Sequence, residues 1–144
     1  MTRRQDVLLA ALAASPTRTL TPVQLQKALF LVAQEAKSLA PTSFYAFEKY
    51  NYGPFSSEIY DDIGGLRQLG LVEIVHPSGS WVRHYQLTEK GIEHAADRQG
   101  KLKPKLIKYL SDVTKWVTSL DFQSLVRAIY KKYPEYRKNS IFRG

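Results

Sequence analysis

The sequence predicts a mainly α-helical α+β fold with one small β-hairpin. Apolar residues recur at helical spacing in six separate segments, and several of these segments open with a capping residue. Two short runs rich in β-branched and aromatic residues flank a turn at residues 76–80, which is typical of a hairpin. The 144 residues are enough for one compact domain and too few for two ordinary ones.

The first two helices have clear boundaries in the sequence. The first is predicted over residues 3–15 and is stopped by Pro16, and the linker at residues 17–20 could add an edge strand. The second begins at Thr21, which forms a capping box with Gln24, and it is expected to fade before Pro41.

An aromatic segment, residues 44–55, precedes the third helix. Its alternation is strand-like, but Gly53-Pro54 is expected to end any regular element there. The third helix is predicted to begin at Ser56 or Ser57 and to end at Gly70.

The hairpin strands are predicted at residues 71–75 and 81–87, and Thr88 caps a fourth helix that runs to about residue 98. Helix, helix, helix, hairpin, helix is the order of a winged helix-turn-helix. We therefore predict a winged-helix domain over residues 1–100.

Two further helices are predicted near residues 104–119 and 121–133, and the polar tail after Lys138 is expected to fray. Together they form a basic C-terminal helical extension, residues 101–144, that we expect to pack on the same domain.

Composition excludes several function classes. The absence of cysteine removes disulfides, thiol nucleophiles and cysteine-based metal sites. His76, His84 and His94 lack the spacing of metal ligands, and no phosphate-binding loop or nucleophile elbow is present. No apolar run is long enough to span a bilayer, and residues 7–14 are at the short limit for a signal sequence. We expect a cytoplasmic protein that is not an enzyme and needs no metal or cofactor.

Positive charge is concentrated at the C-terminal end. The formal net charge is +8. Residues 1–20 carry +2, residues 21–100 carry −2, and residues 101–144 carry +8. This asymmetry indicates nucleic acid as a partner of the C-terminal helices.

Nucleic-acid binding, most simply of DNA, is the first functional hypothesis. The third helix, the usual recognition helix of this fold, exposes more acids than cations in this interpretation and would repel a polyanion. The C-terminal lysines recur on one helical face, although any surface helix has a solvated polar face. The candidate nucleic-acid contacts are Arg67, Gln68, Arg83, Lys101, Lys105, Lys108, Lys115, Arg127, Lys131, Lys132, Arg137 and Lys138.

Protein binding is the second hypothesis. The aromatic segment either forms core beneath a loop or exposes part of its surface as an interface. The acids of the third helix would pair with a basic partner, and Trp116 could lie in a homodimer interface. The candidate partner-binding residues are Tyr50, Tyr52, Phe55, Glu58, Asp61 and Asp62.

Three segments are similar to a known group of bacterial proteins. The segments are Leu25-Gln26-Lys27-Ala28-Leu29-Phe30-Leu31, then Tyr50-Asn51-Tyr52-Gly53-Pro54-Phe55-Ser56-Ser57-Glu58-Ile59-Tyr60, and an ending that runs from Leu125 through Tyr130 to Ser140. They resemble the SocA-like, or Panacea, antitoxin domains and the related YwgA-like proteins. The resemblance implies a non-catalytic module found beside toxin or defence genes, which neutralises a toxin by contact or serves as an adaptor. The lysine-rich end departs from a bare antitoxin domain.

The sequence therefore supports two functions. The leading hypothesis is a winged-helix regulatory or accessory protein that contacts nucleic acid through its C-terminal helices and wing. The alternative is an adaptor or antitoxin-like subunit that binds a partner protein without contacting nucleic acid.

Overall fold

The structure, a computed structural model, describes residues 1–143. Two capping boxes fix where its first two helices begin. At the start of α1 (Arg3–Ala14) the hydroxyl of Thr2 accepts a hydrogen bond from the backbone of Gln5, whose side chain accepts one in return. Strand β1 (Thr19–Leu20) follows, and a second capping box, the predicted one, opens α2 (Pro22–Glu35).

A second hairpin, absent from the sequence prediction, lies between α2 and the next helix. Strands β2 (Glu48–Tyr50) and β3 (Gly53–Phe55) are antiparallel, so the prediction that Gly53-Pro54 ends regular structure is wrong. Gly53 adopts a φ of +102°, which a glycine tolerates. Pro54 has no N–H to donate, but its carbonyl accepts a hydrogen bond from Lys27.

The central sheet forms around the predicted hairpin. After α3 (Ser57–Gln68), strands β4 (Val72–Val75) and β5 (His84–Leu87) pair antiparallel, with Ile74 opposite Tyr85. Strand β1 pairs with the other side of β5, so the strand order is β1-β5-β4 and the possible edge strand is present.

The remaining helices are α4 (Glu89–Arg98), α5 (Pro104–Thr118) and α6 (Phe122–Lys132). Helix α5 packs against α1 and α2, and one hydrophobic core includes side chains from both ends of the chain. Within residues 1–143 the molecule is mainly helical with small antiparallel sheets, and none of its helices is long and apolar enough to cross a membrane.

The C-terminal tail does not fray as predicted, up to the last described residue. Asn139, Ser140 and Ile141 donate hydrogen bonds to backbone carbonyls of residues 49–51. Phe142 is buried against Tyr130. These contacts hold the tail against β2 and the turn that follows it. Gly144 lies outside the described residues.

Candidate functional site

Two consecutive side chains of α2 fix the hairpin β2–β3 from one side. The amide of Gln26 donates to the carbonyl of Ser56 (3.0 Å) and accepts from the backbone N–H of Ser56 (2.8 Å). The ammonium of Lys27 donates to the carbonyl of Pro54 (3.1 Å). Both side chains are almost fully buried, so the free edge of β3 is paired with side chains instead of water.

The tail holds the hairpin from the other side. The amide of Asn139 donates to the carbonyl of Lys49 (3.3 Å), and both the hydroxyl of Ser140 and the N–H of Ile141 donate to the carbonyl of Asn51 (3.0 Å each). An isolated two-stranded hairpin is marginally stable in water. Residues of α2 and of the C-terminal tail therefore meet at this hairpin and fix its position.

Lys27 is a buried lysine whose amine has no carboxylate partner among residues 1–143. Burial lowers the pKa of Lys27 to about 7, because the charged form is poorly solvated there. A Cβ atom on Gly53 would lie 3.3 Å from the ring of Tyr130, a tight contact, so glycine lets the hairpin approach that ring.

An apolar cleft opens beside the hairpin. Its volume is about 200 Å³, and it lies between α2, the hairpin, α3 and β5. Ile59 and Ile63 form part of its floor, while its rim carries three half-exposed tyrosines, Tyr50, Tyr52 and Tyr60. Tyr60 is the most open of the three, with 61% of its surface exposed.

A second cleft, of about 490 Å³, adjoins the first at the start of α2. Pro22 and Val23 line both clefts. The rings of Tyr52 and Phe122 also connect them, with centroids 5.2 Å apart. We name the combined surface the aromatic surface and define it by Pro22, Tyr50, Tyr52, Tyr60, Val82 and Phe122.

One flank of α3 carries acids that are paired inside the molecule. Arg4 of α1 donates to Glu58 (2.9 Å) and to Asp62 (3.0 Å), and Tyr45 donates to Asp62 (2.6 Å). Asp62 is buried, so the expectation that it lies on the exposed side of the helix is wrong. Its charge is balanced by a cation 58 positions away in the sequence. Asp61 remains exposed.

The opposite flank of α3 carries no such pairing. Tyr60 and Arg67 are seven positions apart and lie on the same side of the helix, facing Tyr85 of β5. Burial raises the pKa of Tyr85, and the nearby cations of Arg83 and Arg67 act against that shift. Neither arginine forms an ion pair within residues 1–143.

The predicted C-terminal cations divide into two groups. Three have intramolecular partners: Lys108 pairs with Asp112 (3.3 Å), Lys132 pairs with Glu35, and Arg137 lies over the ring of Tyr130 (5.4 Å). The others form no ion pair within residues 1–143; they are Lys101, Lys105, Lys115, Arg127, Lys131 and Lys138.

The predicted nucleic-acid residues do not form one continuous site. Arg67 and Arg83 each lie near Tyr85, and Gln68 is exposed at the end of α3. The lysines of α5 project from a helix that packs on α1 and α2, and no close packing joins α5 to α3. Of the predicted protein-binding residues, Tyr50, Tyr52 and Phe55 line the first cleft. The rest lie on α3, as described above.

Sequence reasoning missed four members of the aromatic surface: Pro22, Tyr60, Val82 and Phe122. A usable signal existed for Tyr60, because Tyr60, Gly64 and Arg67 share one helical face that carries no aliphatic residue. Nothing in the sequence shows that Phe122 meets Tyr52, which is 70 positions earlier.

No family model and no curated protein matches this sequence. Residues 1–143 contain no cluster of three or more histidine, aspartate or glutamate side chains that could hold a metal ion.

Proposed function

We propose that this protein is a non-catalytic adaptor or antitoxin-like subunit of the cytoplasm that binds a partner protein on its aromatic surface. The observation that carries the proposal is the junction of two apolar clefts, rimmed by half-exposed aromatic side chains, at Pro22 and Val23. Large contiguous apolar patches are rare on monomers and mark binding sites. Tyrosine anchors in particular dominate interface energetics.

The order of elements supports a winged-helix scaffold for this surface. Three helices precede the strand pair β4–β5, and the strand order β1-β5-β4 is that of a winged helix, with the connection between β4 and β5 as the wing. The resemblance to Panacea and YwgA-like proteins also implies binding by protein contact. We propose that the segments behind the resemblance act by fixing the hairpin that carries Tyr50 and Tyr52.

The experiment that tests the proposal is affinity capture from the native host with a matched control. The double variant Tyr52→Ala/Tyr60→Ala removes two rim side chains that are 40% and 61% exposed, and circular dichroism checks that its fold matches the wild type. We expect recovery of the partner to fall at least about tenfold, because truncating a hot spot costs about 2 kcal/mol or more. Ile92→Ala removes an equally exposed apolar side chain from α4 and should leave recovery unchanged. Equal recovery with both variants would contradict the proposal.

A second candidate function is nucleic-acid binding by the C-terminal helices. The observation that favours it is the set of unpaired cations on α5 and α6, among them Lys105, Lys115 and Lys131. Cations that replace counterions on phosphates make affinity strongly dependent on salt.

A salt titration tests this candidate. Binding to mixed duplexes and single strands is measured between about 50 and 200 mM salt, for the wild type and for Lys105→Gln/Lys115→Gln/Lys131→Gln. If the lysines contact phosphates, the triple variant flattens the salt dependence by about one unit of slope for each lost contact. The same slope in both proteins would exclude this surface as the contact.

A further inference from the structure

Two arginines lie at one end of the aromatic surface, on different elements. Arg67 follows Tyr60 by two helical turns on α3, and Arg83 precedes Tyr85 by two positions, immediately before β5. Tyr60 and Tyr85 both line the first cleft, and Arg83 lines the second. Arg83 therefore lies at the second cleft, and Arg67 lies on the face of α3 that carries Tyr60 at the first cleft.

The acids near this end of the surface do not neutralise the arginines. Glu58 and Asp62 lie on the opposite flank of α3 and are bound by Arg4. No acidic residue occurs between Glu73 and Glu89, a stretch that contains the whole wing. Two acids remain nearby: Asp61 is exposed on α3, and Asp121 lines the second cleft, where it caps α6 by accepting from Ser124 (2.8 Å).

Unpaired arginines beside an apolar cleft fit a particular kind of ligand. A guanidinium group presents a planar fork of donors that matches a carboxylate. An apolar anchor in the cleft would exclude water from that contact and strengthen it.

From this geometry we propose that the partner protein presents an apolar anchor flanked by aspartate or glutamate, with the anchor in the first cleft and a carboxylate bound by Arg67 and Arg83. This inference rests on the proposed function. It reverses the partner charge expected from the sequence, since two of the three acids that predicted a basic partner, Glu58 and Asp62, are bound by Arg4. A nucleic-acid phosphate is the competing ligand for the same arginines.

The test uses a phage-displayed library of short random peptides, selected on the intact protein. The selected peptides are sequenced, and the strongest is synthesised and titrated by fluorescence anisotropy. We expect enrichment of aspartate or glutamate next to phenylalanine, leucine or tryptophan. The double variant Arg67→Glu/Arg83→Glu should lower the affinity for the synthetic peptide by at least about tenfold, the usual size for loss of a desolvated charge contact. The control Lys105→Glu/Lys131→Glu reverses two exposed cations elsewhere and should leave that affinity unchanged.

Three other outcomes would overturn the inference in different ways. Peptides that require Tyr60 but show no acidic enrichment and ignore the arginine reversal would leave the proposed function standing without its charge preference. If selection on the wild type enriches peptides no more than selection on Tyr52→Ala/Tyr60→Ala does, both the proposed function and the inferred charge preference are wrong. A fluorescein-labelled DNA duplex that binds only when Arg67 and Arg83 are present, with no acidic peptide bound, would assign the arginines to phosphate.

Discussion

The two flanks of α3 carry similar numbers of polar groups and use them differently. On one flank, which we call the paired flank, Glu58 and Asp62 accept hydrogen bonds from Arg4. On the other, which we call the open flank, Tyr60 is exposed and Arg67 has no carboxylate partner within residues 1–143. The first flank joins α3 to α1, whereas the second borders the apolar cleft.

The difference shows that the charge of a helix does not by itself indicate its partner. Counting residues along α3 gives more acids than cations, which suggests an anionic surface. Arg4 binds both Asp62, which is buried, and Glu58, which is partly exposed. Asp61 is exposed, whereas at the other end of the surface Arg67 and Arg83 lie near Tyr85. The surface available to a partner is therefore cationic at one end and apolar along its length.

The largest effect is expected on the paired flank. Asp62→Ala leaves the hydroxyl of Tyr45 buried without its acceptor and removes one of the two carboxylates of Arg4. We expect the free energy of unfolding to fall by about 3 kcal/mol, as when one partner of a largely buried ion pair is removed. Urea denaturation measures the change. Asp61→Ala is the matched control. Asp61 is the exposed neighbour of Asp62, and its loss should lower the free energy of unfolding by no more than about 0.5 kcal/mol. Equal losses would show that the network does not stabilise the fold.

Helix boundaries were predictable because they depend on local chemistry. The capping box at Thr21, the stop at Pro16 and the glycine at position 70 all act within a few residues, so the sequence alone locates them. The hairpin β4–β5 was predictable for the same reason, since its turn and its alternating strands are adjacent in the chain.

The hairpin β2–β3 and the charge of α3 depend on distant residues and were missed. From its neighbours alone, Gly53-Pro54 is predicted to end a strand, but Lys27 and the tail supply hydrogen bonds that hold the hairpin in place. Asp62 reads as exposed until Arg4 is brought to it by the packing of α1. The clefts combine residues from α2, both hairpins and α6, so no single segment reveals them.

A second, smaller effect concerns Lys27, which is buried like Asp62 but has no ion-pair partner within residues 1–143. Burial lowers its pKa to about 7 from the ordinary 10.5. Between these values the unfolded chain binds a proton that the folded protein lacks, so the free energy of unfolding rises with pH, by up to about 1.4 kcal/mol per pH unit. The effect is checked by urea denaturation at about pH 7.5 and about pH 8.5, a window in which tyrosines stay largely protonated in both states.

Lys27→Met should remove most of the change of the free energy of unfolding with pH. This expectation holds even if the substitution also raises or lowers stability at every pH. Lys105→Met, at an exposed position, should keep the slope. The chain has no cysteine, so no thiol titrates in the same window. A slope that survives Lys27→Met would show that the lysine keeps its ordinary pKa in the folded state.

The smallest effect sharpens the comparison of the two flanks most directly. Gly64 lies between Tyr60 and Arg67 on the open flank, and Gly65 follows Asp62 and Glu58 by one and two turns on the paired flank. A Cβ atom at either position would meet no atom within 4 Å. Alanine at each site should therefore stabilise the protein by about 0.5–1 kcal/mol, measured by thermal denaturation, because glycine is unfavourable inside a helix.

The two substitutions should nevertheless differ in binding. A methyl group at position 64 stands on the open flank, where a partner seated in the cleft approaches the backbone of α3, whereas a methyl group at position 65 stands toward α1. We expect Gly64→Ala to lower the affinity for the peptide selected on the aromatic surface. Gly65→Ala should leave that affinity unchanged, although both substitutions raise the melting temperature. Since stability changes equally in the pair, any difference in affinity locates the partner. If both variants bind as the wild type does, the partner does not approach the backbone of α3 at position 64.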